Sequence, residues 1–174
     1  VVPDIGAFEV LAPLDNTAPI INSNPVPEVY LDSTGHATIT AGDLLLGAYD
    51  DCKMRGTGVS KTTYSCADVG DVSVTLTATD HSYNVSTVTL EVHVVDDTPP
   101  TIALPADVTA SAGSSACSAS LTAAQLGSAS AWSTCGGATI ENDAPTLFPV
   151  GTTYVTWTAT DASGNVATGV QTVT

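Results

Sequence analysis

Apolar and polar side chains alternate along several stretches of the chain. In residues 72–79 every second residue is Val, Leu or Ala, and the residues between them are Ser or Thr. Residues 87–94 alternate in a similar way, as do residues 155–159 around Trp157. A period of two is that of a β-strand with one buried face. The pattern therefore predicts strands whose apolar side covers a core.

The long strands come in pairs joined by short polar loops. The loop DHSYN (Asp80–Asn84) and the loop DASGN (Asp161–Asn165) each separate two such strands, which predicts two β-hairpins. Helix is limited to one turn within Thr40–Ala48. Shorter strand candidates precede the hairpins: Val29–Leu31, His36–Thr40, Val108–Ser111, Ser118–Leu121 and Ala138–Asn142. About seven short strands in roughly 80 residues predict an all-β fold of two tandem immunoglobulin-like β-sandwich domains.

An internal repeat sets the predicted domain boundaries. The segment TLTATD at Thr75–Asp80 returns as TWTATD at Thr156–Asp161, 81 residues later. The junction DNTAP, which begins at Asp15, returns as DDTPP at Asp96 with the same offset. A fixed offset of this length is typical of a repeated module. We therefore predict one domain at 15–95, a second at 96–174, and an N-terminal segment at 1–14 that is a linker or the end of an upstream domain.

The charge of the chain excludes two classes of partner. There are 18 Asp and Glu residues against 3 Lys and Arg residues, which gives a net charge of −15. Nucleic-acid binding needs clustered basic residues, so neither nucleic acid nor an anionic membrane surface is an expected partner. No run reaches the ~20 apolar residues of a membrane span, so we expect no membrane insertion.

The four cysteines fall two to each predicted domain. They form no C-x-x-C pair, and no His lies close enough to suggest a zinc site. The sequence therefore predicts two disulfides within the domains, Cys52–Cys66 and Cys117–Cys135, and with them a secreted, extracellular location. Four buried free thiols are the alternative.

Acidic residues are predicted to meet at one end of the first domain. In an immunoglobulin-type sandwich the chain enters at the end that carries the last hairpin loop and the loop between the second and third strands. This topology brings together Asp15, Asn16, Asp50, Asp51 and Asp80. Because Ca²⁺ takes six to eight oxygen ligands, and unpaired carboxylates repel, the set predicts a calcium site at the junction.

The second domain repeats this arrangement with fewer carboxylates. Its candidate ligands are Asp96, Asp97, Asp161 and Asn165, whereas Ser133 and Thr134 stand where the first domain has two Asp residues before its cysteine. A weaker or empty site is therefore expected. The alternative for Asp80 and Asp161 is that they cap turns and accept backbone hydrogen bonds.

The second domain also resembles a known family. Its segments DDTPPTIALPADVTASAG and FPVGTTYVTWTATDASGN resemble the HYR (hyalin repeat) domain, a resemblance that implies adhesion or extracellular assembly. The first domain, with TTYSCADVG and TLTATD, resembles Ig-like repeats of large secreted bacterial surface proteins. The segment PDIGAFE (Pro3–Glu9) resembles the closing strand of a right-handed β-helix domain.

The expected function is structural: a calcium-stiffened stalk, filament or adhesive repeat of a secreted or cell-surface protein. Neighbouring repeats of the same polypeptide or filament are the expected partners, together with surface glycans or proteins. No nucleophile elbow surrounds any serine, so we expect no enzyme. The alternatives are an accessory module of an extracellular polysaccharide-active enzyme and a carbohydrate-binding module. The second needs exposed aromatics, but aromatics make up only 5% of the chain, and most of them fall at core-like positions. We expect Trp132 to be a partly buried packing residue, and the alternative is a ligand platform in a loop.

Overall fold

A computed structural model describes residues 15–25, 27–113 and 117–174. The described residues are mostly β-strand, and their fold class is the predicted all-β, immunoglobulin-like β-sandwich class. The predicted β-helix segment, Pro3–Glu9, lies outside them. They gather into two compact units, one formed by 15–25, 27, 39–62 and 73–92, the other by 28–38, 63–72, 93–113 and 117–174. Within the described residues no helix is long and apolar enough to cross a membrane.

The first unit contains several paired strands and one helical turn among its described residues. Its elements are β1 (Ile20–Ser23), α1 (Ala41–Leu44), β4 (Leu45–Tyr49), β5 (Met54–Val59), and most of β7 (Gly70–Asp80) and β8 (Val85–Val95). Strand β1 pairs antiparallel with β4, and β7 lies between β5 and β8 in another sheet. The helix α1 begins where the Thr40 amide and hydroxyl both donate to the Asp43 carboxylate.

The second unit contains the remaining strands. Its parts of the first predicted domain are β2 (Glu28–Tyr30), which runs parallel to the end of β8, β3 (His36–Thr38), β6 (Thr63–Ser65) and a 3-10 helix at Cys66–Asp68. The rest are β9 (Thr101–Ala103), β10 (Ser118–Ala119), α2 (Ala123–Leu126), β11 (Ser130–Trp132), β12 (Ala138–Asn142), β13 (Phe148–Pro149), β14 (Thr153–Asp161) and β15 (Val166–Val173). The pairs are β3–β6, β9–β11 and β10–β13, and one antiparallel sheet has the order β12-β14-β15.

The alternating positions form the cores, as predicted. Val74, Leu76 and Ala78 of β7 are all but inaccessible, and so are Val155 and Ala159 of β14. In the second unit Trp157 packs with Leu126, Phe148 and Val173. Both hairpins have the predicted loops, and β12 has the predicted bounds. The prediction for Val108–Ser111 was too long, since only Val108 forms a bridge, to Val173.

The expectation that most aromatics lie in the core is wrong. Trp132 is 64% exposed, because it lies on the short strand β11, which pairs only with β9. Four Tyr side chains are also exposed: Tyr30, Tyr49, Tyr83 and Tyr154. Composition therefore gives no argument against a carbohydrate-binding surface.

Both predicted disulfide pairings are wrong. The structure joins Cys66 to Cys135, with 5.0 Å between their Cα atoms, and this bond lies within the second compact unit. Cys52 and Cys117 are exposed free thiols. The bond connects the residues predicted as the first domain to those predicted as the second.

The length of the strands explains why the predicted pairs do not form. Cys52 lies two residues before Met54, which pairs with Asp80 at the end of β7, whereas Cys66 leads into the start of β7. An 11-residue strand spans roughly 35 Å, and a disulfide needs Cα atoms within about 7 Å. Cys117 and Cys135 are likewise placed at opposite ends of β14.

Candidate metal centre

Four residues of the first unit bring their ligand atoms together at the end of β7. The Cys52 sulfur and one carboxylate oxygen each from Asp15, Asp50 and Asp51 lie within 4.8 Å of one another. Asp15 precedes β1, and the other three occupy the turn between β4 and β5. The structure therefore brings together three of the acidic residues that the sequence placed in one cluster.

Asp80 adjoins this cluster from the end of β7. It is fully buried, because the inward alternation of β7 continues through it to the last residue of the strand. Its carboxylate accepts hydrogen bonds from the amide N–H of Asn84, at 2.8 Å, and from the Asn84 side chain, at 2.8 Å. Asp80 thus caps the hairpin turn, and Asn84 also donates to the carbonyl of Asp15, at 3.2 Å.

Local hydrogen bonds hold the Asp15 carboxylate in place on one side only. The Thr17 hydroxyl and amide both donate to Oδ1, at 2.5 and 2.9 Å, and these bonds are the main reason that the pKa of Asp15 is lowered. The same hydroxyl lies 2.8 Å from Asp51 Oδ1. In contrast, Asp15 Oδ2 is buried and has no hydrogen-bond partner among the described residues.

The close packing of these acidic groups raises the pKa of Asp50 and of Cys52. Burial is the largest cause that raises the pKa of Asp50, and its carboxylate neighbours raise it further. The pKa of the Cys52 thiol is raised as well, first by its contact with the Asp15 carboxylate and then by burial. Desolvation and the nearby negative charges thus raise the pKa of both groups.

The predicted second site has a different arrangement. Asp96 and Asp161 are buried, and each of their carboxylate oxygens accepts a hydrogen bond. Ser163 donates from its hydroxyl to Asp96 Oδ2, at 2.9 Å, and Asn165 donates to the Asp96 carbonyl, at 3.0 Å. Asp97 is exposed. These contacts describe a hydrogen-bonded turn that joins the entering chain to the β14–β15 hairpin.

Three functional contacts were not identified from the sequence. Thr17 bridges two carboxylates, Cys52 contributes its sulfur to the cluster, and Asn84 ties the entering chain to the hairpin. The repeated motif TATDxxxN contained a signal for Asn84, since Asn165 occupies the same place in the second domain. Asn16 is exposed next to Asp15, and its role as a ligand stays a prediction.

The donor set of the first cluster fits a hard cation. It consists of carboxylate oxygens and one thiol, in a turn that is reached from solvent, and the orphaned Asp15 Oδ2 lacks a positive partner. Calcium accepts six to eight oxygens at about 2.3 to 2.6 Å with flexible geometry, and water supplies the ligands that protein does not. A zinc site would need more sulfur or imidazole ligands than the cluster offers.

Comparison with known protein families gives one match, in the second half of the chain. The HYR domain family model matches residues 95–174. No curated protein matches the chain. The HYR match supports an extracellular or cell-surface, adhesion-type module for this half.

Solved structures with a similar arrangement of strands include cadherins. Drosophila N-cadherin EC1-4 is 15% identical, with a TM-score of 0.43, over 90% of this chain and 48% of that chain. Protocadherin gamma B2 extracellular cadherin domains 3-6 are 11% identical, with a TM-score of 0.35, over 89% of this chain and 46% of that chain. The fibronectin(III)-like modules of Clostridium thermocellum CbhA are 14% identical, with a TM-score of 0.31, over 89% and 92% of the two chains. The chain thus spans about half the length of the cadherin structures.

Proposed function

We propose that the chain is a non-catalytic, structural or adhesive tandem repeat of a secreted or cell-surface protein, and that calcium stiffens the entry to its first domain. One observation carries the calcium assignment: the buried Asp15 Oδ2 has no hydrogen-bond partner among the described residues and lies beside further carboxylates. A buried, unpaired anionic oxygen is destabilising, and a divalent cation supplies the missing partner.

Calcium would act on segments that meet at this cluster. Asp15 belongs to the entering chain, Asp50 and Asp51 belong to the β4–β5 turn, and Asp80 belongs to the hairpin. Their mutual repulsion opposes this convergence, so neutralisation by a cation favours the closed arrangement. The expected consequence is a less mobile entry segment, which suits a stalk that transmits force.

The order of the elements supports two copies of one module. In both halves a short strand pairs with a later one across a helical turn, β1 with β4 and β9 with β11. In both halves the strand that follows Cys52 or Cys135 pairs with the Asp-bearing end of a long strand, β5 with β7 and β12 with β14. We therefore keep the domain ranges 15–95 and 96–174 as part of the proposal.

The calcium assignment is tested by titration calorimetry together with thermal unfolding. We expect about one equivalent to bind the parent chain and to raise its melting temperature, since a ligand that binds the folded state stabilises it. Asp51→Asn removes one exposed carboxylate of the cluster and should weaken binding at least about tenfold, because hard-cation affinity depends on ligand charge.

A matched variant separates ligation from net charge. Glu91→Gln removes one exposed carboxylate from β8 and should leave calcium affinity unchanged. Equal losses for both variants would mean that calcium screens the overall negative charge. No heat and no change in melting temperature would reject the calcium site and leave the HYR match as the basis of the function.

Carbohydrate binding is the second candidate, because Trp132 is 64% exposed. Aromatic faces bind sugar rings through apolar contact, and an exposed Trp is the largest such face. If this surface acts as a platform, Trp132→Ala should abolish retardation of the chain in polysaccharide-containing gels, while Tyr154→Ala, at another exposed aromatic, should not. Unretarded migration of the parent chain across a panel of polysaccharides would reject this candidate.

A further inference from the structure

The Cys66–Cys135 bond joins two small structural features. One is the end of the β3–β6 pair, where Gly35 precedes β3 and Cys66 follows β6. The other is the turn Ser133–Gly136, from which Thr134 donates its hydroxyl to the Ser33 carbonyl, at 3.3 Å. We refer to the first as the strand-pair end and to the second as the cysteine turn.

Each feature has a counterpart elsewhere in the chain. The β10–β13 pair corresponds to β3–β6, since each precedes the long hairpin of its half. In this pair Cys117 precedes β10 as Gly35 precedes β3, and Val150 follows β13 as Cys66 follows β6. The Val150 amide donates to the Cys117 carbonyl, at 3.3 Å, which places these two residues side by side.

The position of Gly35 shows where a thiol at Cys117 would lie in an equivalent junction. A Cβ placed on Gly35 would be 2.5 Å from the Cys66 sulfur and 3.5 Å from the Cys135 sulfur. A cysteine at this place in a strand-pair end is therefore within reach of the sulfur of a docked cysteine turn. Cys117 has this place in β10–β13, and its thiol is free and exposed.

The counterpart of the cysteine turn is Asp50–Cys52. Cys52 precedes β5, whose first residue pairs with Asp80, and Cys135 precedes β12, whose first residue pairs with Asp161. Cys52 is thus the counterpart of Cys135, but it forms no disulfide and is exposed. Cys52 and Cys117 are therefore the two cysteines that a second junction of this kind would need.

We propose that the chain docks head to tail with a second copy of itself, and that Cys52 of one copy forms a disulfide with Cys117 of the next. This inference rests on the tandem arrangement in the proposed function. The docking surface is the end of β10–β13, where Ala110, Ala119, Phe148, Val150 and Val173 line an apolar cavity of about 170 Å³. The Cys66–Cys135 junction is the template for this interface, and heterologous contacts of this kind lead to open filaments.

The bond forms by thiol–disulfide exchange with a small disulfide such as oxidised glutathione. The two protein thiols lose two protons and two electrons, and the small disulfide takes them up and leaves as two thiols. One protein S–S bond forms for each small S–S bond that breaks. Because each copy carries a net charge of −15, docking needs near-physiological salt, at which the Debye length is about 8 Å.

The experiment uses two complementary variants of the full chain. Cys52→Ser retains only the Cys117 free thiol, and Cys117→Ser retains only the Cys52 free thiol. Each alone should stay monomeric after oxidation, whereas the mixture should form a heterodimer and the parent chain a ladder on non-reducing gels. Peptide mass spectrometry should identify a Cys52–Cys117 bond in the mixture.

A displaced thiol controls for random collision. In the C52S/C117S background, S82C places a thiol in an exposed turn near the same end of the first unit. Mixed with the Cys52→Ser variant, it should form heterodimers at least about tenfold more slowly than Cys117→Ser does, because docking raises the effective concentration of the correct thiol.

Several outcomes would overturn the inference. These are equal rates for the control, dimers from either single variant alone, or no cross-link in the mixture. Melting curves of all variants establish that they fold, and calcium titration of Cys117→Ser, which keeps the whole acidic cluster, is run in parallel. Retained calcium binding by this variant, with no cross-link in the mixture, would reject head-to-tail docking alone, whereas absence of calcium binding by both this variant and the parent chain would reject the proposed calcium site.

Discussion

At the scale of single residues, Gln171 is the polar group on which the second core depends. It is fully buried on β15, accepts a hydrogen bond from the Trp157 indole at 3.1 Å, and donates to the carbonyls of Ala106, at 2.7 Å, and Leu126, at 2.8 Å. Its side chain thus connects the core tryptophan to two loops. This role could not be predicted from the sequence, because a lone Gln in an alternating strand is expected to face solvent.

Replacement of Gln171 by Leu should be strongly destabilising. The substitution keeps the bulk but leaves one buried donor and two carbonyls without partners, at about 1 to 3 kcal/mol each. We expect a total loss of about 3 kcal/mol or more, visible as a lower denaturant midpoint. Thr168→Leu, at an exposed position of the same strand, should change the stability by less than about 0.5 kcal/mol. Equal effects of the two variants would contradict the role of the buried hydrogen bonds.

At the scale of the element, the two hairpin loops place different residues at the same left-handed backbone position. Gly164 has a φ of 87°, and Tyr83, at the same place in the first loop, has a φ of 67°. This left-handed region is unfavourable for residues with a Cβ. The Tyr83 ring also contacts the Arg55 guanidinium, 4.4 Å from the ring centroid, and this contact offsets part of the cost.

Gly164→Ala should therefore destabilise the second hairpin by about 1 kcal/mol. The cost comes from the backbone, since no described atom lies within 4 Å of a Cβ placed at Gly164. Gly58→Ala in β5 is the matched control, because its Cβ is equally unobstructed and its φ is not in this region. Chemical denaturation should show a loss for the first variant only, and a loss of similar size for Gly58→Ala would contradict the backbone explanation.

At the scale of the whole molecule, the long strands were predictable and the short ones mostly were not. Strands β7 and β14 have 11 and 9 residues, and their side chains alternate because one face is buried along most of each strand. In contrast, β9 and β11 have three residues each, too few to show a period. The convergence of Asp15 with Asp50 and Asp51 followed from the order of strands in a sandwich.

The disulfide pairing could not be predicted from the sequence. Four cysteines allow three pairings, and proximity in sequence favoured bonds within each domain. That expectation failed because consecutive cysteines lie at opposite ends of a long strand. The choice depended on which loops share one end of the fold, and Cys66 and Cys135 share one.

The observed disulfide leads to a prediction for the stability of the second compact unit. The bond closes a loop over a sequence separation of 69 residues, which is worth about 4 kcal/mol in the chain-entropy model. We expect C66S/C135S to lose a large part of this value in urea denaturation and to respond no further to a reducing agent. Replacement of the exposed free thiol in Cys117→Ser should leave the stability within about 0.5 kcal/mol of the parent chain. If reduction leaves the parent's denaturation midpoint unchanged, the bond does not stabilise the unit, and strand pairing and core packing alone hold 28–38 and 63–72 against the HYR-matching residues.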